Sequence, residues 1–153
     1  MRIVIQRVKE ASVTIGGTLK SSIGHGMMIL VGICDEDTDE DIEYLCRKVV
    51  QMRIFDDENG VMNLSITEVA GSGILVVSQF TLMASTKKGN RPSYIHASRP
   101  DFAIPMYEKF IAKLQDLFGK EIKTGEFGAN MQVALINDGP VTIIMDSQQR
   151  EKF

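Results

Sequence analysis

Tryptophan is absent from this chain of 153 residues, and cysteine and histidine occur only twice each. The two cysteines, Cys34 and Cys46, do not have the short spacing of a metal site and have no histidine near them in the sequence. We therefore expect no metal, no disulfide and no other cofactor, and a reducing, cytoplasmic location. The sequence motifs of zinc sites, nucleophile elbows and phosphate-binding loops are missing as well, which excludes the most familiar classes of catalytic site.

Long apolar runs and an excess of basic residues are also lacking. No apolar stretch approaches the length needed to span a bilayer, and charge returns at Arg7, so we expect neither a membrane segment nor a signal peptide. The net charge of −3 disfavours non-specific binding to nucleic acid, and we expect no DNA partner. An apolar fraction of 44% and a charged fraction of 24% are ordinary, and the length predicts one domain over residues 1–153.

Charge is distributed unevenly along the chain, and this leaves two interpretations open. Residues 35–43 carry seven acids and no base, whereas residues 87–99 carry four lysines and arginines and no acid. Both segments fit solvated faces of the fold. The basic segment also contains a flexible Lys-Lys-Gly-Asn-Arg-Pro loop that could reach a phosphate backbone, and His96 could touch phosphate or ribose there.

Alternating and continuous apolar runs predict a fold built largely from strands. The Gly16-Gly17 and Asn59-Gly60 pairs are turn signals, and each predicts a hairpin. Strands are expected over residues 2–8, 12–15, 18–23, 27–33, 53–55, 61–64, 74–82, 120–124 and 131–145, the last interrupted at Gly139-Pro140.

Two helices are expected between these strands. Thr38 is a suitable N-cap with Asp41 in a capping-box position, and the helical spacing that follows places Cys46 on the buried face. The second helix spans roughly residues 100–118 and either begins or kinks at Pro105. Because strands and helices do not alternate regularly, we predict an α+β fold, a mostly antiparallel sheet curled into a barrel-like subunit with two packed helices.

Two polar motifs close or interrupt apolar strands and are the strongest candidates for a functional site. They are Ser-Gln-Phe-Thr-Leu at residues 78–82 and Asn-Asp-Gly-Pro-Val-Thr at residues 137–142. Asp138 is the only titratable residue in either motif, so Ser78 and Thr81 have no evident base to activate their hydroxyl groups. We therefore expect the main-chain N–H groups of Phe80 and Thr81 to stabilise a developing oxyanion.

The side chains around these motifs have alternative interpretations. Phe80 and Leu82 fit core packing as well as a site, and His25, between two glycines, fits a solvated turn. Gly139-Pro140 fits either a bulge that ends a ladder or a cis peptide whose two carbonyls point to one side. Two fixed, convergent carbonyls would form a receptor for a protonated amine.

The paired motifs resemble the signature of the D-aminoacyl-tRNA deacylases, also described as D-tyrosyl-tRNA(Tyr) deacylases. Four further segments fit the same family: Gln-Arg-Val at 6–8, Gly-Val-Met-Asn-Leu-Ser at 60–65, Lys-Gly-Asn-Arg-Pro at 88–92 and Gly-Ala-x-Met-x-Val at 128–133. Either main motif alone is weak evidence. Both, in this order and at this spacing, are highly specific, and the resemblance extends over essentially the whole chain.

The resemblance implies hydrolysis of the ester bond of D-aminoacyl-tRNA, with release of free D-amino acid and tRNA. It also implies action on glycyl-tRNA(Ala), catalysis assisted by the RNA, and a homodimer with the active site at the interface. Gly139-Pro140 would be cis and would enter the partner's pocket, where it would hold the substrate amine and reject L-aminoacyl groups.

The motifs and the resemblance together assign roles to individual residues. Catalytic roles fall to Ser78, Gln79, Phe80 and Thr81, substrate-binding roles to Met131, Asn137, Gly139 and Pro140, and tRNA contacts to Lys87, Lys88 and Arg91. Two alternatives from other classes are a Thr81-dependent esterase or amidase that acts on small substrates, and a tRNA-binding module without catalytic activity. The lack of a base disfavours the first alternative, and the low basic content disfavours the second.

Overall fold

A computed structural model describes residues 1–153 and contains eight strands, two α-helices and two short 3₁₀ helices. The strands are β1 Arg2–Ile15, β2 Thr18–Ile23, β3 Gly26–Gly32, β4 Phe55–Asp56, β5 Met62–Leu64, β6 Gly73–Ser78, β7 Lys123–Thr124 and β8 Gln132–Asp146. The α-helices are α1 Asp39–Gln51 and α2 Pro100–Phe118, and the 3₁₀ helices are Ile66–Glu68 and Phe80–Met83.

The main sheet has six strands and is organised around the long strand β1. The strand order is β2-β1-β3-β6-β7, and β8 also pairs with β1. All pairings of β1 are antiparallel, whereas β3–β6 and β6–β7 are parallel. The Ser21 hydroxyl group on β2 donates to the Thr124 carbonyl on β7 at 2.7 Å, which brings the two ends of the sheet together. The predicted α+β class, with a nearly closed, barrel-like sheet and two helices, is confirmed.

The first hairpin forms where the two glycines predict it. Gly16 and Gly17 have φ of 56° and 79°, a left-handed conformation that glycine adopts without steric cost. The predicted strands over residues 2–8 and 12–15 are one continuous strand, because the exposed residues between them stay in the sheet through a register shift near Val8. The second predicted hairpin is present in shorter form as β4 and β5.

The two helices pack on each other and on the sheet, and their apolar faces supply much of the core. The capping box of α1 is present, with the Asp41 carboxylate accepting the Thr38 N–H at 2.8 Å. Cys46 is fully buried in this core, as predicted. Burial raises the pKa of the Cys46 thiol to about 12, and burial together with the Asp37 carboxylate does the same for Cys34.

Helix α2 begins at Pro100 and continues through Pro105. The prediction that the helix could begin at Pro105 is therefore wrong. Proline suits the first turn of a helix, and Pro105 is exposed and close to that turn. The helix ends at Gly119, whose φ of 78° makes it the left-handed cap expected there. Neither helix has the combination of length and hydropathy that crossing a bilayer requires.

The predicted strand over residues 74–82 is wrong in its second half. Strand β6 ends at Ser78, and Phe80–Met83 forms a 3₁₀ helix. The Gln79 N–H donates to the Val31 carbonyl at 2.7 Å, and the chain then turns across Gly32. A side chain at Gly32 would stand 2.9 Å from the Leu82 Cβ, so this turn depends on the absence of a side chain there.

Candidate active site

A cleft of about 290 Å³ lies at the carboxyl end of β6. Ser78, Gln79, Phe80 and Met131 are among the residues that line it. The rest of the lining comes from β3 and the residue after it, from β6, from the start of α2 and the segment before it, and from within residues 127–133 at the start of β8. The structure thus brings together four of the eleven predicted site residues, which come from two distant parts of the sequence.

The lining of this cleft contains no titratable side chain. Besides the four predicted residues it consists of apolar groups, glycine, one serine and one asparagine: Val31, Ile33, Val77, Ser98, Ala103, Phe127, Gly128, Ala129, Asn130 and Val133. The lining that this chain contributes therefore offers no side-chain acid or base. Nor does the structure bring together three His, Cys, Asp or Glu side chains as metal ligands.

Main-chain groups are prominent at the junction where β6 ends and the 3₁₀ helix begins. The Leu82 N–H is the first to bond within the helix, to the Gln79 carbonyl at 3.2 Å. The N–H groups of Phe80 and Thr81 precede that bond, and the first N–H groups of a helix have no partner inside it. Neither N–H group bonds within the helix, so both remain available as donors to a group outside it, although only Phe80 of the two lines the cleft.

The side chains of Gln79 and Thr81 are hydrogen-bonded to each other. The Gln79 Nε2 donates to the Thr81 Oγ1 at 2.5 Å. The Thr81 hydroxyl group is thus an acceptor for an amide and has no basic partner that would take up its proton. This contact does not favour Thr81 as a nucleophile.

Phe80 and Leu82 differ in their surroundings. The Phe80 side chain is 54% exposed, so its alternative assignment to the core is wrong. Its ring meets that of Tyr94 edge to face, with ring centroids 5.1 Å apart. Leu82 is half-buried, and its carbonyl accepts the Arg2 Nη1 at 2.9 Å, which ties the 3₁₀ helix to β1.

Met131 reaches the cleft because Gly125 leaves room for it. A Cβ atom added at Gly125 would lie 2.4 Å from the Met131 sulfur. Gly125 is buried and follows β7, so a side chain there would displace the Met131 thioether.

The second motif forms a bulge in β8. Val8 pairs with Asn137 and Gln6 pairs with Thr142, so the four residues 138–141 lie opposite the single residue Arg7, three more on β8 than on β1. The Gly139-Pro140 peptide is cis, and both residues are exposed. The peptide is therefore cis and the pair lies in a bulge, but the ladder with β1 resumes at Thr142, so the interpretation that the bulge ends the ladder is wrong.

Asn137 and Arg7 hold this bulge in place. The Asn137 Oδ1 accepts the Val141 N–H at 3.1 Å, and its Nδ2 donates to the Val141 carbonyl at 3.2 Å. The buried Arg7 donates from Nε to the Asp138 carbonyl at 3.1 Å and from Nη1 to the Ile54 carbonyl at 2.7 Å. Fixed side-chain hydrogen bonds on both sides thus determine the position of Gly139-Pro140.

Asp138 and His25 lie at this bulge and not at the cleft. The Asp138 Oδ2 is 3.5 Å from the Arg7 Nε and 3.9 Å from the His25 Nε2. His25 lies in the turn as expected, half exposed, with its ring edge to face against Phe55 at 5.3 Å.

The two motifs do not meet within one chain. The bulge is held by Arg7, which pairs with Met27, and Met27 pairs with Ile74. Ser78 is four residues further along β6, about 13 Å away along the strand, and three strand spacings separate β8 from β6. The separation is on the order of 20 Å.

The basic segment forms a small hairpin beside the cleft. The main chains of Ser85 and Ser93 exchange two hydrogen bonds of 2.8 and 2.9 Å. Lys87, Lys88 and Arg91 are exposed in the loop between them. The three predicted tRNA contacts therefore share one loop, and none of them lines the cleft.

The role of Arg7 as an anchor was not predicted from the sequence. Ile3, Ile5 and Arg7 occupy alternate positions of β1, and all three are buried. An arginine on the buried, apolar face of a strand needs buried hydrogen-bond partners. This alternation is the sequence pattern that could have predicted the role of Arg7. Phe127 and Ala103, also missed, lie in segments without a polar motif.

Comparisons with known proteins agree with these observations. Residues 4–146 match the family model described as D-Tyr-tRNA(Tyr) deacylase. The chain is 64% identical to the D-aminoacyl-tRNA deacylase of Bacteroides fragilis (strain YCH46) over 99% of this chain and 100% of that protein. It is 62% identical to that of Flavobacterium johnsoniae over the same shares.

Solved structures show the same fold. The c-Myc DNA Unwinding Element Binding Protein superposes with a TM-score of 0.90 and 42% identity, covering 95% of this chain and 98% of the other. A probable eukaryotic D-amino acid tRNA deacylase gives a TM-score of 0.81 at 17% identity, covering 94% and 97%.

Proposed function

This chain belongs to the D-Tyr-tRNA(Tyr) deacylase family, and from this premise we propose that it hydrolyses the ester bond of D-aminoacyl-tRNA, releasing free D-amino acid and tRNA. The observation that carries the proposal is the cleft at the end of β6, which is lined by the first motif but contains no acid or base. Ester hydrolysis there needs oxyanion donors from the main chain and a proton acceptor from the substrate.

We infer that water attacks the ester carbonyl while the N–H groups of Phe80 and Thr81 bind the developing oxyanion. One such donor is typically worth about 3 kcal/mol of transition-state stabilisation. In place of a protein base, the ribose hydroxyl next to the ester relays a proton from the attacking water to the ribose oxygen that leaves. The bond between the acyl carbon and the ribose oxygen then breaks, and the ribose oxygen leaves with a proton.

The remaining residues of the cleft position the substrate in this proposal. Ser78 and Gln79 orient the terminal adenosine, and the Gln79–Thr81 hydrogen bond supports this role because it fixes the amide. Met131 forms the wall beside the acyl group.

We propose that chiral selection comes from the Gly139-Pro140 bulge of a second copy in a homodimer. Three observations support this: the bulge is exposed, Arg7 and Asn137 fix its position, and it is on the order of 20 Å from the cleft of its own chain. Its carbonyls receive the substrate's ammonium group, and an L side chain clashes with it. Glycine has no side chain, so glycyl-tRNA(Ala) is also accepted.

The tRNA body lies along Lys87, Lys88 and Arg91 in this arrangement. Their exposure in a single loop beside the cleft supports contacts to phosphate groups. Because aminoacyl-tRNA is used in translation, we place the reaction in the cytoplasm.

The first test is deacylation of D-tyrosyl-tRNA and L-tyrosyl-tRNA by the purified protein with a metal chelator present. We expect rapid loss of the D-ester and retention of the L-ester. Equal cleavage of both would contradict selection by Gly139-Pro140 and favour a general esterase, which would also cleave a free amino-acid ester. Salt-sensitive tRNA binding without cleavage would favour a binding module.

A further inference from the structure

An exposed apolar patch lies directly outside the cleft. Phe80 lines the cleft and is 54% exposed, and the neighbouring Tyr94 and Ile95 are 41% and 81% exposed. The rings of Phe80 and Tyr94 meet edge to face with centroids 5.1 Å apart and planes at 75°. We call the two aromatic residues, together with the adjoining Ile95, the aromatic patch. Clustered apolar side chains left open to solvent are typical of binding surfaces.

The patch is held in a fixed position. The Ser85–Ser93 hydrogen bonds close the hairpin on one side of Tyr94, and the Ala97 N–H donates to the Tyr94 carbonyl at 3.0 Å. On the other side, the Ser98 N–H donates to the Ile33 carbonyl at 2.9 Å, which ties the segment to the end of β3. The exposed ring is therefore presented by an ordered main chain, which reduces the entropy lost when a ligand binds.

The charge around the patch selects one class of ligand. Lys87, Lys88 and Arg91 project from the adjoining loop, and residues 84–100 contain no acid. Aromatic rings beside a basic track are the arrangement by which proteins bind single-stranded nucleic acid, since the bases stack and the cations contact the phosphates. An apolar peptide would leave these cations without partners.

We propose that the aromatic patch is the stacking surface for the unpaired nucleotide that precedes the terminal adenosine of the substrate tRNA. This inference rests on the proposed function, because the cleft then holds the ester and the adenosine. Phe80 belongs to both the cleft and the patch, whereas Tyr94 lies outside the cleft. The acceptor strand therefore leaves the cleft across Phe80, stacks its next base on Tyr94 and continues with its phosphates toward Lys87, Lys88 and Arg91.

The test compares two D-tyrosyl esters, one of adenosine alone and one of the trinucleotide CCA, as substrates of the full-length protein. We expect wild-type kcat/KM to be higher for the trinucleotide ester. In Tyr94→Ala the ratio of the two kcat/KM values should fall by about tenfold to a hundredfold, the range expected for loss of one base stack. Tyr94→Phe keeps the ring and should keep the ratio.

Two further variants make the test specific. Tyr94→Leu keeps apolar bulk against Phe80 but has no aromatic face. It should lower the ratio as Tyr94→Ala does, which separates the loss of stacking from any loss of stability in the alanine variant. Val61→Ala removes an exposed apolar side chain of similar accessibility, 57%, from the β4–β5 hairpin and should leave the ratio unchanged.

The outcomes separate this inference from the proposed function. A wild-type protein that cleaves D-tyrosyl-tRNA but shows the same ratio in Tyr94→Ala and Tyr94→Leu would overturn the stacking surface alone. A changed oligomeric mass in Tyr94→Ala with an unchanged ratio would instead make the patch a contact between copies, which also overturns it. Failure of the wild type to cleave D-tyrosyl-tRNA would be a failure of the proposed function.

Discussion

Among single residues, Thr81 is the one whose surroundings decide most about the chemistry. Its hydroxyl accepts the Gln79 amide, and the cleft that it adjoins has no base. We therefore expect Thr81→Ala to keep kcat/KM for D-tyrosyl-tRNA within about tenfold of wild type, because a single hydrogen bond has a net worth of about 1 kcal/mol. Thr86→Ala, an exposed threonine outside the motif, is the matched control.

If Thr81 were instead the nucleophile, two measurements would show it. A nucleophilic threonine would make Thr81→Ala inactive, and a covalent acyl-enzyme would be detectable by mass spectrometry after rapid quenching.

Four of the fourteen residues that line the cleft were named from the sequence, whereas the contacts around them were not. Ser78, Gln79 and Phe80 belong to the motif at the end of β6, Met131 was named through the resemblance to the family, and all four line the cleft. The anchoring of Asp138 by Arg7 joins residues far apart in sequence, so it depends on strand register that no local pattern specifies.

At the scale of elements, the contact between Gly32 at the end of β3 and the 3₁₀ helix sets the position of the site. A Cβ at Gly32 would lie 2.9 Å from the Leu82 Cβ and 3.1 Å from the Gln79 carbonyl oxygen. We expect Gly32→Ala to shift this helix and lower kcat/KM by more than tenfold, since small displacements of catalytic groups are costly. The free energy of unfolding should fall by about 1–3 kcal/mol because of overpacking.

Gly24→Ala is the control for this substitution. Gly24 is exposed, and a Cβ there would meet nothing within 4 Å. Both variants are compared by urea denaturation and by deacylation kinetics. Equal activity of the two variants would show that the position of the 3₁₀ helix does not limit the reaction.

Local signals explain which elements could be predicted. The capping box at Thr38 and the terminal Gly119 specify helix ends through their own hydrogen bonds and φ, so the start of α1 and the end of α2 were predicted nearly to the residue. The Phe80–Met83 turn was missed because its apolar residues continue the pattern of β6, and the turn is decided by packing on Gly32. The parallel β3–β6 pairing likewise depends on tertiary contacts.

For the whole molecule, the separation of the two motifs predicts that two damaged chains can complement each other. Met131→Trp fills the cleft. Gly139→Val distorts the bulge, because φ of 127° disfavours a side chain and the new Cβ would lie 3.0 Å from the Arg7 Nη2. Each variant alone should be inactive. In a mixed dimer one site has both an intact cleft and an intact bulge.

Co-refolding the two variants in equal amounts should therefore restore about a quarter of wild-type activity, since half of the dimers are mixed and each has one complete site. Mixing two preparations of the same variant is the control. No recovery in mixed dimers verified by mass spectrometry would contradict a site shared between subunits.

Buried acidic groups of high pKa predict how stability of the whole fold depends on alkaline pH. The pKa values of Cys34 and Cys46 are raised to about 12 from 9.0, and burial also raises that of Tyr107. The folded state therefore holds protons that the unfolded chain loses. These groups should leave the free energy of unfolding unchanged below about pH 8 and decrease it from about pH 9 toward pH 12, by up to about 1.4 kcal/mol per pH unit for each group.

Urea denaturation between pH 8 and pH 11 measures this decrease. Cys46→Ala should lower stability at pH 8 but show a shallower decrease above pH 9, because one of the buried groups is gone. An unchanged slope would mean that the thiolate forms without unfolding.

The junction between β6 and the 3₁₀ helix also affects which substitutions this protein can tolerate in evolution. A main-chain N–H is supplied by every residue except proline, so substitutions at Phe80 or Thr81 alter side chains while leaving the proposed donors present. Substitutions should therefore be tolerated better at Thr81, whose side chain has no role in the proposed chemistry, than at Gly32, Gly125 and Arg7, which set main-chain and side-chain positions from outside the cleft. Mutational scanning for loss of activity would therefore find these three positions more sensitive than Thr81.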